Sequence, residues 1–197
     1  MTPQTYMFFG RSGSGKGTQA KLLIDFLQKN DKENKTFYVE TGAKLRELSQ
    51  EVGLTAKLVE QTLAKGGLLP SFLPIWIWTH TFVRNLSGHE HLVLDGLSRR
   101  AYEAPILTDA LKFYCREKPH IILINVSREW SKEKLLNRGR ADDNLKDIDS
   151  RLDWYEKNVM PTVQHFREDP YYIIDEINGE QSIEKVHQDI LVATGLS

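Results

Sequence analysis

Residues 10–19 read GRSGSGKGTQ and set four glycines, Gly10, Gly13, Gly15 and Gly17, around one lysine, Lys16. The spacing from Gly10 to Gly15-Lys16 is that of a Walker A phosphate loop, with Gly17 where a Ser or Thr usually stands and Thr18 one step later. Glycines let successive backbone N–H groups turn inward on a polyphosphate. A following helix N-terminus adds positive dipole, and the lysine spans the last two phosphates. Gly10, Gly13, Ser14, Gly15, Lys16, Gly17 and Thr18 are therefore the expected polyphosphate contacts. Arginines then recur in three further stretches, ETGAKLRE with Arg46, LDGLSRRAYEA with Arg99, and NRGRADDN with Arg138 and Arg140, followed by Arg151. A guanidinium binds phosphate oxygens bidentately and keeps its proton, so several converging arginines suit a transferring phosphoryl group.

Two acidic features accompany them. Asp95 ends an apolar run, where it could cap a turn or orient a water in the shell of Mg²⁺, an ion that keeps several waters and uses few carboxylates. Asp142 and Asp143 precede a helical pattern starting near Leu145, where negative charge suits the helix dipole; pairing with the neighbouring arginines is the other expectation.

These residues need a scaffold. Short β-rich runs recur at 6–9, 36–39, 91–94, 121–126 and 171–174, nearly continuous in apolar character, as a parallel sheet covered on both faces requires. Helical patterns lie between them at 18–28, 43–52, 55–64, 75–86, 101–116, 130–137, 145–166 and 182–193. The alternation predicts a three-layer α/β fold around a doubly wound, five-stranded parallel sheet with ligands at the carboxyl ends of the strands. Residues 41–84 carry helical patterns with no strand between them, which predicts a helical flap over one side of the site.

Composition bounds the rest. A chain of 197 residues with 40% hydrophobic content suits one domain that can bury a core without staples. A lone cysteine, Cys115, permits no internal disulfide, and with no signal-like N-terminus a cytoplasmic setting is expected. The most apolar stretch, 68–78, is broken by Pro70 and Pro74 and is too short to span a membrane. A net charge of -1 and a pI near 6.6 argue against a dedicated nucleic-acid binder. His80, His89 and His91 lack partners at metal-ligand spacing, so no zinc site is expected. Cys115 and the Ile75-Trp76-Ile77-Trp78 run are expected to be buried core.

Taken in order, the GxxGxGKGTQ loop, the TGxxLR helix start, the DGxxR strand end, the paired arginines before DD and the later RLxxY helix resemble the nucleoside monophosphate kinases, adenylate kinase most closely. The resemblance spans essentially the whole chain. It implies a P-loop kinase fold, residues 41–84 as a nucleoside monophosphate (NMP)-binding flap, and residues 137–144 as a very short lid hairpin. It implies reversible transfer of the ATP γ-phosphoryl group to an NMP, most readily AMP, with Mg²⁺, by a monomer. By the same resemblance Thr41, Gly42, Arg46, Gly96, Arg99 and Glu103 would bind the acceptor, Lys16, Arg99, Arg138, Arg140 and Arg151 would act on the transferring group, and Asp95 would face the metal through water.

Several positions depart from the family pattern. Ser12 and Ser98 stand where Pro is usual, Ala43 where Asp is usual, and Glu103 where a Gln reads adenine. An ionised Glu only accepts hydrogen bonds, which suits the two adjacent donors of guanine and makes GMP the alternative acceptor. A nucleotide-binding regulatory protein with little turnover is the alternative of another class; it would not need the acceptor-side Arg46 and Arg99. Kinases of shikimate and other small metabolites share the loop but not the TG…LR and DG…R segments.

Overall fold

The computed structural model describes residues 2–138 and 145–197, apart from the side chain at 146. Five strands, β1 (Thr5–Gly10), β2 (Lys35–Glu40), β3 (Glu90–Asp95), β4 (His120–Asn125) and β5 (Ile173–Asn178), form one parallel sheet in the order β2-β3-β1-β4-β5. β1 and β3 are buried along their whole length, whereas the edge strands are only partly covered: β2 buries Val39 alone, and β5 buries every second residue from Asp175. That contrast explains the fifth expected strand. The aromatic pair Tyr171–Tyr172 suggests a strand at 171–174, but the strand begins at Ile173, and only Asp175 and Ile177 within it are buried. The Tyr172 ring instead packs edge-on against Phe166, 4.6 Å between centroids, and its hydroxyl meets Thr108 at 2.7 Å.

Side chains alternate across the sheet, and each face has its own helical layer. On one face Tyr6 and Phe8 pack with Leu23 and Leu27 of α1 (Lys16–Asn30) and Ile190 of α9 (Ile183–Ala193). On the other, Met7 and Phe9 pack with Trp78 and Phe82 of α4 (Phe72–Asn85), Leu107 and Leu111 of α5 (Ala104–Phe113), and Val163 and Phe166 of α8 (Met160–Glu168). This is the three-layer α/β arrangement that the alternation predicts. α2 (Thr41–Leu48), α3 (Leu54–Leu63) and α4 follow one another between β2 and β3, and they share a small apolar cluster of Leu45, Val59, Leu69, Leu73 and Ile77.

Three expectations are corrected. The helix expected over 145–166 is broken into α7 (Leu145–Trp154), a π-helical turn at Tyr155–Val159, and α8. Pro161 accounts for the break: it has no N–H to donate back to Lys157, and its ring crowds that carbonyl, so the turn widens and Met160 N–H reaches Tyr155 O instead. Cys115 is exposed, because α5 stops at Phe113 and Cys115 lies beyond it with φ +53°. In the Ile75–Trp78 run Trp78 is fully buried and Ile77 nearly so, but Trp76 is exposed and stacks on His80, since a helix carries adjacent residues to different faces.

Candidate active site

β1 lies between β3 and β4, so the connections that leave β1 and β3 diverge and open a crevice at their carboxyl ends. A cavity of about 720 Å³ occupies it, a size suited to nucleotides. Its floor is the loop between β1 and α1. Gly15 caps α1 with φ +89° and has open space around it, a conformation that an L side chain would strain. Gly10 serves packing instead: a Cβ there would lie 2.5 Å from the carbonyl oxygen of Ile124. Lys16 Nζ donates to the carbonyls of Gly10 and Arg11, each at 2.8 Å, and so bridges its own loop. Burial pushes the Lys16 ammonium down to about 8, with the Arg99 and Arg138 cations adding to the effect and Asp95 opposing it.

Strand register brings the acidic groups together. Glu40 and Asp95 are partners at the ends of β2 and β3. Burial raises the Asp95 carboxyl above its ordinary value; Lys16 and Arg99 pull it back and Glu40 pushes it further up. Gly17 approaches the same carboxylate so closely that a Cβ would stand 3.7 Å from Oδ2. With no side chain at 17, space beside Asp95 remains open to a hydrated cation, and a buried carboxylate raised by desolvation gains from one. Asp95 therefore fits an outer-shell role toward Mg²⁺. Among the described residues no group of three or more His, Cys, Asp or Glu is placed to hold a metal by itself.

The arginines arrive from separate elements. Arg46 on α2 bonds Glu40 Oε1 at 2.8 Å, an exposed pair that adds little stability. Arg99 follows β3, and its Nε donates to Gly96 O at 3.2 Å. Both guanidiniums converge on Gly42, where a Cβ would lie 3.2 Å from Arg46 Nη1 and 3.6 Å from Arg99 Nη2. Burial lowers the Arg99 guanidinium from its ordinary value while Asp95 raises it. Arg138 ends α6 (Arg128–Arg138), and Arg151 on α7 is buried, its Nε donating to Asp147 O at 3.3 Å. Arg46, Arg99, Arg138 and Arg151 all line the cavity with Lys16 and Asp95.

Not every expected site residue faces the cavity. Gly13, Ser14, Gly15, Gly17, Thr18 and Gly42 line it. Gly10 and Gly96 border a smaller void of about 40 Å³ behind the loop. Thr41 is buried, and its hydroxyl has no hydrogen-bond partner among the described residues. Glu103 is buried as well: Oε2 accepts the backbone N–H of Arg99 at 2.7 Å and of Arg100 at 3.4 Å, and Oε1 accepts the hydroxyl of Ser71 at the start of α4. Arg140, Asp142, Asp143 and most of the 137–144 hairpin lie outside the described residues.

Sequence reasoning missed one wall altogether. Gln181, Ile183 and Val186, beyond β5 and on α9, close the cavity beside α1, while Trp130, Lys134 and Trp154 rise from α6 and α7. The rule that ligands sit at strand ends could have flagged the residues after β5; no spacing marks the tryptophans.

A profile of the adenylate kinase family matches residues 8–170. The chain belongs to the adenylate kinase family. It is 31% identical over 184 residues to the adenylate kinase of Prochlorococcus marinus, covering 93% of this chain and 94% of that one. It is 29% identical to those of Azobacteroides pseudotrichonymphae, over 93% of both chains, and Corynebacterium diphtheriae, over 96% of this chain and 98% of that one. As a member of the adenylate kinase family the chain is a P-loop nucleoside monophosphate kinase. No described helix is long and apolar enough to cross a membrane.

Proposed function

We propose that the protein catalyses reversible transfer of the γ-phosphoryl group of ATP, bound with Mg²⁺, to AMP, giving two molecules of ADP. The observation that carries this reading is the meeting of Arg46 and Arg99 at Gly42, across one cavity from Lys16. A protein that only bound ATP would have no use for a second pair of phosphate ligands.

In this reading the phosphate loop and the N-terminus of α1 take the ATP polyphosphate, and Arg46 and Arg99 take the AMP phosphate. An AMP phosphate oxygen attacks the γ-phosphorus as the bond to the β–γ bridging oxygen breaks, and the electron pair leaves on ADP. The attacking oxygen is already anionic, so no general base is required. Lys16, Arg138, Arg151 and, by the family resemblance, Arg140 neutralise charge that spreads over the equatorial oxygens. Mg²⁺, when bound, supplies further neutralisation on the ATP phosphates, and Asp95 would hold its water shell. Closure by the helical flap, residues 41–84, would exclude water that otherwise hydrolyses ATP.

AMP is favoured over GMP because Glu103 is already engaged. Glu103 is buried, does not line the cavity and already accepts from three donors of its own surroundings, a placement that does not favour reading guanine. The test is a coupled assay of ATP with AMP, GMP, CMP, UMP and dTMP. AMP is expected to give the highest kcat/KM; a higher value for GMP would overturn the acceptor assignment, and no transfer to any of the five would overturn the function.

A further inference from the structure

Trp154, the last residue of α7, stands where three parts of the site meet. Its indole N–H donates to the carbonyl of Gly66 at 3.0 Å, across 88 positions of sequence. Its ring lies under the Arg99 guanidinium, 5.7 Å from cation to centroid. It borders both the main cavity and the void behind the phosphate loop. Gly66 is the buried residue of the turn between α3 and α4, with φ +63°, and a Cβ there would come within 3.0–3.2 Å of the backbone and Cβ of Asp147. The turn of the helical flap thus lies directly on α7, the helix that carries Arg151.

We propose that Trp154 is a positioning residue that clasps the flap to α7 and orients Arg99 toward the acceptor phosphate. The inference rests on the reading of Arg99 as a ligand of that phosphate and deepens it. Tryptophan supplies two functions at once, a flat π face and a single N–H donor. A ring under the guanidinium attracts the cation while leaving its in-plane N–H groups available, whereas a carboxylate at the same place would compete with phosphate for them. The N–H pairs the carbonyl of Gly66 in a part-buried bond, so losing it leaves that acceptor without this partner in the docked state and favours undocking. Because Trp154 and Arg151 share one helix, the clasp also fixes the acceptor side relative to the transfer side.

Trp154→Phe keeps a ring and removes the donor; Trp154→Leu removes both. In the nucleotide-free protein, amide exchange of peptides covering residues 60–70 is expected to speed up several-fold in Trp154→Phe, with β1 and β3 unchanged. By calorimetry, the Kd for AMP alone is expected to rise roughly three- to tenfold, the scale of one lost hydrogen bond, while that for ATP alone moves less than about twofold. Trp154→Leu is expected to weaken AMP further, through Arg99. Unchanged exchange in Trp154→Phe, or equal weakening of AMP and ATP, would overturn the proposal. Failure of the native protein to bind AMP would instead bring down the acceptor assignment and with it the link from clasp to acceptor. If Trp154→Leu does not fold, Trp154→Phe carries the test.

Discussion

Lys16 is held by two carbonyls of its own loop rather than by the core, and burial already disfavours its charge. Removing it takes away two hydrogen bonds together with a desolvated cation, effects of opposite sign. Lys16→Ala is therefore expected to shift the melting temperature by no more than about 3 °C, while turnover falls at least about a hundredfold; near-normal turnover would remove Lys16 from the mechanism. Its titration gives a second prediction. The ammonium is the form that binds phosphate, it is complete well below pH 8, and it is lost as pH rises through about 8. At subsaturating ATP, kcat/KM should accordingly decline as pH rises through that value. Lys16→Arg, whatever its absolute rate, should lack that limb, because a guanidinium keeps its proton.

The connection from β3 to α5 shows how an element can assign a side chain a different task from the one its position suggests. Glu103 sits in the last position of a tight turn, Ala101–Glu103, and its carboxylate folds back to cap the N–H groups of Arg99 and Arg100 while reaching Ser71 just before α4. Ala at this position would strand the two backbone donors, at about 1–3 kcal/mol, while the Ser71 hydroxyl keeps the Tyr102 hydroxyl at 2.7 Å. Glu103→Ala is expected to lower the melting temperature by several degrees and to raise the KM for AMP, because the capped loop carries Arg99. Glu103→Gln should leave the ratio of kcat/KM for AMP and GMP unchanged; a shift toward AMP beyond about threefold would mean that the side chain reads the base after all.

Across the described residues, stability is divided unequally among clusters of apolar contact. The sheet and its two helical layers hold the large clusters, whereas α2, α3 and α4 depend in part on a small cluster around Val59. Regions with fewer buried contacts open first. Phe166→Ala, in the main core against Phe9 and Tyr172, is expected to cost about 3–5 kcal/mol of global stability in denaturant unfolding. Val59→Ala removes about 1–2 kcal/mol of burial, and its effect should appear chiefly as faster amide exchange in α3 with little change in β1, β3 and β4. Equal acceleration in the sheet would show that the helical flap and the core open as one unit.

The order of strands and helices and the glycine spacing of the loop were legible because they depend on local geometry, whereas the arginines at 46, 99, 138 and 151, which line the cavity, were picked out through the family pattern. A Walker A loop needs its glycines at fixed spacing, and buried parallel strands need unbroken apolar runs. The fifth strand was displaced in the reading because an edge strand buries only one face, and its two buried side chains, Asp175 and Ile177, do not form a run. The π-helical turn was missed although Pro161 stands in plain view, since a proline states that a hydrogen bond is lost and not how the chain closes the gap. Glu103 and Trp154 were decided only in three dimensions. Glu103 turns inward because Ser71, 32 positions away, and two backbone N–H groups meet it there, and Trp154 reaches the site because packing sets Gly66 against Asp147. Contacts between segments so distant in sequence leave no periodicity behind; they exist only once the sheet has brought those segments together.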